Sequence, residues 1–372
     1  MISLSAPILG DEEKQALCEV IDSGWLTMGD RVEAFEKAFA AIHGVADAVA
    51  VNSCTAALHL SLKALGIGPG DEVLVPSLTF VATVNAVLYV GASPVFVDIE
   101  AIDIPHISID DAKSKMTSKT KAVIVMHYGG YLVDLKAWRA FTDVSGILLL
   151  EDAAHAPAVG SVGRMSDAAS FSFFSNKNMS TAEGGMVLAT DKSVLESTRR
   201  LRAHGMSTDT LTRHRGHAYS YDVTLLGYNY RMDELRAAMG LVQLPRLHTW
   251  NNKRIELSNF YRHLLSLHTP EVIVPFNEKH QTAAHLLPIL LPAGKNRLKI
   301  IDYLRKEGIQ SSIHYPPIHH FSFFKEKYPC IILQKTEVFC QRELTLPLHP
   351  SMTESDVNRI VLTLNNSFHY KS

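Results

Sequence analysis

Cysteine is scarce, long apolar runs are missing and neither sign of charge dominates, and each shortage removes a class of protein. Four cysteines occur in 372 residues, Cys18, Cys54, Cys330 and Cys340, with no CxxC pair and no Cys/His spacing typical of a metal site. That argues against a disulfide scaffold and a metal module, and for four small packed thiols. The longest apolar runs, ILLL and AVIVM, are too short to span a bilayer, and MISLSAPILGDEEKQAL has no basic region ahead of a sustained apolar stretch. A cytoplasmic protein with no membrane contact is expected. With 36 Lys+Arg against 38 Asp+Glu the formal net charge is -2. There is then no bulk attraction to nucleic acid, and any anionic ligand must be held locally. The chain also lacks repeats, low-complexity tracts and a GxGxxG between a strand and a helix, which excludes solenoids and argues against a nucleotide-binding oxidoreductase.

What is present alternates. Residues 10–21 and 30–43 carry helical apolar spacing around a Gly-punctuated loop, SGWLTMGD, whose Thr27 is a candidate substrate contact. From residue 47 to about 240, short apolar runs (DAVAVN, DEVLVPS, SPVFVDIE, KAVIVMHYG, GILLLEDA, AASFSFFS, GMVLATD) alternate with helical stretches. Such alternation predicts an α/β fold, a mostly parallel sheet with helices on both faces. The segment from RMDELRAAM to FYRHLLSL reads as helix interrupted near Pro245, and residues 273–372 have the texture of a smaller α+β unit. The expected division is a large domain over 1–250 and a small C-terminal domain over 251–372.

Three segments carry chemistry. NSCTAALHLSLKAL follows an apolar strand and turns at once into a helix, so the amides near Cys54, Thr55 and Ala56 point where an anion could sit. The plainer reading makes Ser53 or Thr55 an N-cap. GILLLEDAAHA puts Asp152 at the C-terminal end of a buried strand, where ligands of open α/β sheets bind, with His155 three residues on. An acid there can accept a hydrogen bond from a protonated pyridine and keep the ring cationic. The alternative is a helix cap and a core histidine. SFSFFSNKNMSTAEGGMVLAT holds Ser172 and Lys177 between a strand and a Gly-Gly turn. Among Phe173, Phe174 and small residues a lysine is poorly placed for solvation, and partial desolvation frees its lone pair to attack an aldehyde. It could instead snorkel at a strand edge. A helix-start anion site, a strand-end acid and an aromatic-flanked lysine, in that order, match the phosphate, ring nitrogen and aldehyde of pyridoxal 5'-phosphate.

The chain resembles the DegT/DnrJ/EryC1/StrS family of sugar aminotransferases, fold-type I pyridoxal-phosphate enzymes of the aspartate aminotransferase superfamily. The likeness runs from ISLSAPILGDEE and SGWLTMGDRVEAFE through NSCTAALHLSL, PSLTFVATVNAVLYVGASPVFVDIE, EDAAHA, SFFSNKNMSTAEGGMV and GYNYRMDELRAAMGLVQL to IHYPPIH and LTLPLHP. It implies that Lys177 forms the Schiff base, Asp152 partners the pyridine nitrogen and His155 neighbours the phenolic oxygen. Phe80 of PSLTFVAT would stack on the ring. The Cys54–Thr55–Ala56 turn, Ser172 and Asn229 would hold the phosphate, Asn229 reaching in from the other subunit of a homodimer with shared sites. Cys54 stands where the family often has Gly and His155 where many members have Gln, while Lys177 is kept where dehydratase members carry His.

The resemblance further implies glutamate as amino donor and a keto-sugar acceptor, a nucleotide-linked 3- or 4-keto-hexose. RLRAHGMSTDTLTRHRGHAYSYDV gathers Arg200, Arg202, His204, Arg213, His214, Arg215 and His217, a cluster suited to a diphosphate unless it is only a solvated loop. Arg213, Arg215, Glu183, His314 and Tyr315 complete the candidate substrate contacts. Two rivals stand: a cyclitol ketone as acceptor, and a non-catalytic sensor or subunit on the same fold.

Overall fold

A computed structural model describes residues 1–207 and 220–370. Two helices open the chain, α1 (Asp11–Ser23) and α2 (Asp30–His43). The Glu234 carboxylate accepts from the Gly29, Arg31 and Val32 amides at 2.9 Å each. The start of α2, and with it the loop bearing Thr27, is thereby tied to a helix two hundred residues on.

Strands and helices then alternate as β1 (Ala48–Val51), α3 (Cys54–Ala64), β2 (Glu72–Pro76), α4 (Val81–Tyr89), β3 (Ser93–Val97), α5 (Ile109–Lys115), β4 (Thr120–Met126), α6 (Leu135–Ser145), β5 (Leu148–Asp152), β6 (Ala168–Ser172), β7 (Gly185–Leu188) and α7 (Lys192–Leu201). The seven strands form one sheet in the order β1-β7-β6-β5-β4-β2-β3, in which β7 alone is antiparallel to its neighbours. The burial explains the continuous apolar runs. Side chains alternate across each strand, so Ala48 and Ala50 pack with Phe35, Phe39, Phe171 and Phe173, while Val49 and Val51 pack with α3 and α7. A sheet covered on both faces has no polar side to show.

Pro245 does break the predicted helix: a 3-10 turn, Leu244–Arg246, separates helix Glu234–Gln243 from the long helix Leu247–His268. The C-terminal part carries a two-stranded antiparallel sheet, β8 (Leu287–Leu290) and β9 (Glu343–Leu346), against which the long helix and helix Glu354–Ser367 close a second core. Ile2 joins that core by bridging to Ile309. Among the described residues no helix is long and apolar enough to cross a membrane.

Candidate active site

The parallel strands all end on one edge of the sheet, and the chemistry-bearing side chains gather there. Its floor depends on a missing side chain. Gly185, first residue of β7, pairs with Val51 on one side and Ser172 on the other. A Cβ on it would lie 2.5 Å from the Ser53 carbonyl and 2.7 Å from the Cys54 amide nitrogen. Glycine thus lets the start of α3 settle onto the sheet beside Ser172. Ser53 is an N-cap, its Oγ accepting from the Ala56 amide at 3.1 Å, so that amide is already used. The Cys54 and Thr55 amides have no intrahelical acceptor and remain at the positive end of the helix.

Asp152 ends β5, only 3% exposed. Thr83 of α4 donates to its Oδ2 at 2.6 Å and the Ala154 amide to its Oδ1 at 3.1 Å. Thr79, just ahead of the N-cap of α4, lies 2.6 Å from the Thr83 hydroxyl and 3.0 Å from the Met126 sulfur. Burial raises the Asp152 pKa, opposed by the Thr83 and Ala154 bonds and by the Lys177 charge. The Lys177 ammonium is pushed down to about 8 by burial, with the Cys54 and Asp152 charges acting upward. Burial also raises the Cys54 thiol. Lys177 sits on a braced loop. Its neighbour Asn178 donates to Asn251 Oδ1 and the Ala283 carbonyl, both at 2.8 Å, and its Oδ1 is 2.9 Å from His285 Nδ1.

His155 is buried, with its ring centroid 4.3 Å from that of His285. Gly130, at φ +92°, admits the backbone of both: a Cβ there would meet the His155 carbonyl at 2.8 Å and the His285 amide at 2.9 Å. The Tyr315 hydroxyl is 3.1 Å from His155 Nε2, while His155 Nδ1 is buried without a partner. Burial holds His155 well below the usual imidazole range. The ring of Phe80, 53% exposed at the start of α4, lies 5.9 Å from that of Tyr315. The Tyr315 segment is held from beneath: the His314 amide donates to Glu343 Oε2 at 2.9 Å, and Tyr128 donates to the His314 carbonyl. His314 Nδ1 is 2.9 Å from Thr345 Oγ1, and its imidazole is lowered to about 4 by burial, aided by the Lys177 charge. Glu343, fully buried, is pushed up to about 8 by burial.

Cys54, Asp152, His155, Lys177, Tyr315 and Phe80 therefore converge, with Ser172 and Thr55 on the same floor. Other candidates stand apart. Asn229 is exposed, bridged to Ala203, and among the described residues its side chain bonds none of Ser172, Asp152 or Lys177 of its own chain. Thr27 and Glu183 are exposed loop residues. Arg213 and Arg215, with His214 and His217, lie outside the described residues. Arg202 leaves the basic cluster: its buried guanidinium is paired with Glu36 and donates to the Ala50 carbonyl, so its charge is already engaged inside the protein. Unforeseen were Thr83, Asn178, His285 and Glu343. No local pattern flagged Thr83, and all four meet partners far away in sequence.

A profile of the DegT/DnrJ/EryC1/StrS aminotransferase family matches residues 7–365. The chain belongs to that family. As a DegT/DnrJ/EryC1/StrS member it is an aminotransferase-family enzyme, and the fold agrees with solved relatives. It is 39% identical over 374 residues to the spore coat polysaccharide biosynthesis protein SpsC of Bacillus subtilis, covering 96% of this chain and 94% of SpsC. The aminotransferase TlmJ of Streptoalloteichus hindustanus superposes at TM-score 0.92 and 32% identity over 99% of both chains. Spr1654 of Streptococcus pneumoniae, in its PMP-form, does so at TM-score 0.90 and 28% identity over 99% of both chains.

Proposed function

We propose that the protein is a pyridoxal 5'-phosphate-dependent aminotransferase that moves an amino group from glutamate to a keto-sugar carried on a nucleotide, a 3- or 4-keto-hexose, in polysaccharide or glycoside biosynthesis. The observation that carries this is the presence in one site of a desolvated Lys177 amine and the buried Asp152 carboxylate, within electrostatic reach of each other. The polysaccharide role of SpsC and the PMP-form of Spr1654 support the substrate class and the cofactor.

The residues present fit the cofactor. The orphaned Nδ1 of buried His155 offers a partner for a phenolic oxygen, and the Gly185 cradle leaves the Cys54 and Thr55 amides and Ser172 for a phosphate. Phe80 would cover one ring face, and Asn229 of the partner subunit would reach the phosphate across a homodimer. Bound there, pyridoxal phosphate supplies an aldehyde for an amine and a ring that takes up an electron pair. Asp152, kept as an acceptor by Thr83, would hold a proton on the ring nitrogen and keep the positive charge beside it. With a pKa near 8, Lys177 can both take a proton from a donor carbon and return one at neutral pH. Tyr315 and His314 would line the mouth, Thr27, Glu183, Arg213 and Arg215 would meet the substrate, and the braced Asn178 keeps the amine from drifting. We further place the division between a large and a small domain near residue 250, with Ile2 crossing to the latter.

The deciding experiment loads the enzyme with amine from glutamate, then adds keto-sugar nucleotides and cyclitol ketones separately. Recovery of the original cofactor absorbance with a nucleotide sugar is expected; recovery with a cyclitol alone would overturn the substrate. Mixing Asn229→Ala with Lys177→Ala is expected to restore some activity, because one composite site would carry both native residues. No recovery despite verified subunit exchange would remove Asn229 from the partner's site.

A further inference from the structure

On the outer side of the Tyr315 segment lies a second cluster that the transamination reading leaves unused. His319, His320 and Glu337 each bring one ligand-type atom into a cluster, all within 4.8 Å of one another. His319 Nε2 is 3.2 Å and His320 Nε2 3.8 Å from Glu337 Oε1. Two ligand atoms about 2.0–2.1 Å from a tetrahedral zinc lie ~3.3 Å apart, so the first spacing already suits an ion. A small rotation of the exposed His320 ring brings the second into range.

Three features separate this cluster from chance surface charge. His319 is buried and its other ring nitrogen, Nδ1, is 2.7 Å from Ser77 Oγ, a second partner that fixes ring orientation as ligating histidines require. Glu337 Oε1 also accepts from the Leu333 amide at 3.0 Å, which anchors the carboxylate, while its Oε2 accepts no bond among the described residues. The cluster also joins three separate stretches of chain: Ile318 donates to the Ser77 carbonyl at 3.0 Å just past β2, and Glu337 lies on helix Gln334–Arg342. An acyl-transfer reading of Ser77, His319 and Glu337 fails because Ser77 is 0% exposed.

We propose that His319, His320 and Glu337 form a binding site for a divalent transition ion of the zinc class, distinct from the candidate active site. Two imidazoles and a carboxylate suit zinc, cobalt or nickel over calcium or magnesium, which take oxygen ligands. On binding, His319 carries its single ring proton on Nδ1, donated to Ser77 Oγ, so that the Nε2 lone pair is free for the ion, and any second imidazole proton leaves to solvent. A fourth position stays open toward solvent at His320. The ion ties the His319–His320 segment, four residues beyond Tyr315, to Glu337 on helix Gln334–Arg342, while Ser77, three residues before Phe80, holds the other side of the His319 ring, and so clamps the rim of the site from outside.

The test uses untagged, cofactor-loaded enzyme stripped with a chelator, then titrated with Zn2+ by calorimetry and with Co2+ by visible absorption beyond the cofactor band. One ion per chain is expected, with a rise in Tm on loading. His320→Ala, at an exposed position, is expected to weaken binding about 100-fold and Ser77→Ala about 10-fold, with Tm before loading and transamination unchanged in His320→Ala. Absence of saturable binding, or equal affinity in wild type, His320→Ala and Glu337→Gln, would overturn the site and leave His319 and Glu337 as a hydrogen-bonded pair.

Discussion

Glu151 and Asp152 are consecutive acids on one buried strand, and they lead opposite lives. Alternation along β5 sends them to opposite faces of the sheet. Glu151, 0% exposed, meets His127 Nε2 at 2.8 Å, the Gly163 amide at 2.9 Å and Ser166 Oγ at 2.5 Å. Both its oxygens are engaged, and it braces β5 against β4 and the 163–166 turn. Asp152 has one hydroxyl and one nearby amide, faces Lys177, and keeps acceptor capacity for a further donor. A buried carboxylate surrounded by enough donors is a structural part; one left short of them is poised to bind.

That contrast can be broken by experiment, beginning with the largest effect. Lys177→Ala is expected to lower transamination about 10,000-fold, the span of general acid–base catalysis, and to abolish the yellow colour of the wild type. A colourless, active wild type would refute the role of the lysine. Asp152→Asn is expected to bind cofactor yet lose about 100- to 1000-fold in kcat, the scale of losing one electrostatic stabiliser. Glu151→Gln is expected to do the reverse, costing about 3 kcal/mol of stability in urea unfolding with kcat within a few-fold. Should Glu151→Gln cut kcat at full stability, the two faces are not separate.

Smaller effects sharpen the same contrast. Thr83→Val removes a charge-assisted hydrogen bond of about 1.5–3 kcal/mol and is expected to lower kcat about 10-fold or more while leaving the KM for glutamate almost unchanged. A pure KM effect would make Thr83 a packing residue. The last prediction concerns pH. A lysine whose pKa is depressed to about 8 by burial becomes neutral above that value, so capture of pyridoxal phosphate by apoprotein is expected to speed up as pH rises through about 8 and then level off. Because the Asp152 charge holds that pKa up, Asp152→Asn is expected to move the midpoint down, and Glu151→Gln to leave it in place. Stopped-flow absorbance across pH reads both.

Local pattern revealed what local chemistry controls. The alternation of apolar runs and helices showed the sheet, Pro245 showed the break, and the strand-end position of Asp152 and the aromatic flanks of Lys177 picked out two side chains that the structure buries in one site. Glu343 was hidden because its burial depends on β8 and the His314 segment closing around it, and Asn178 because its partners Asn251 and His285 lie 73 and 107 residues on. The same limit misplaced Arg202, whose neighbour Glu36 is 166 residues away.

The sequence by itself determined the fold class and the family and singled out the candidate lysine and acid, because period, turn residues and motif order are properties of neighbouring positions. Only the tertiary structure decided how those groups are tuned. Desolvation of Lys177, the Thr83 bond to Asp152 and the close approach that Gly185 allows arise when distant segments exclude water together, and no single stretch of chain carries that information.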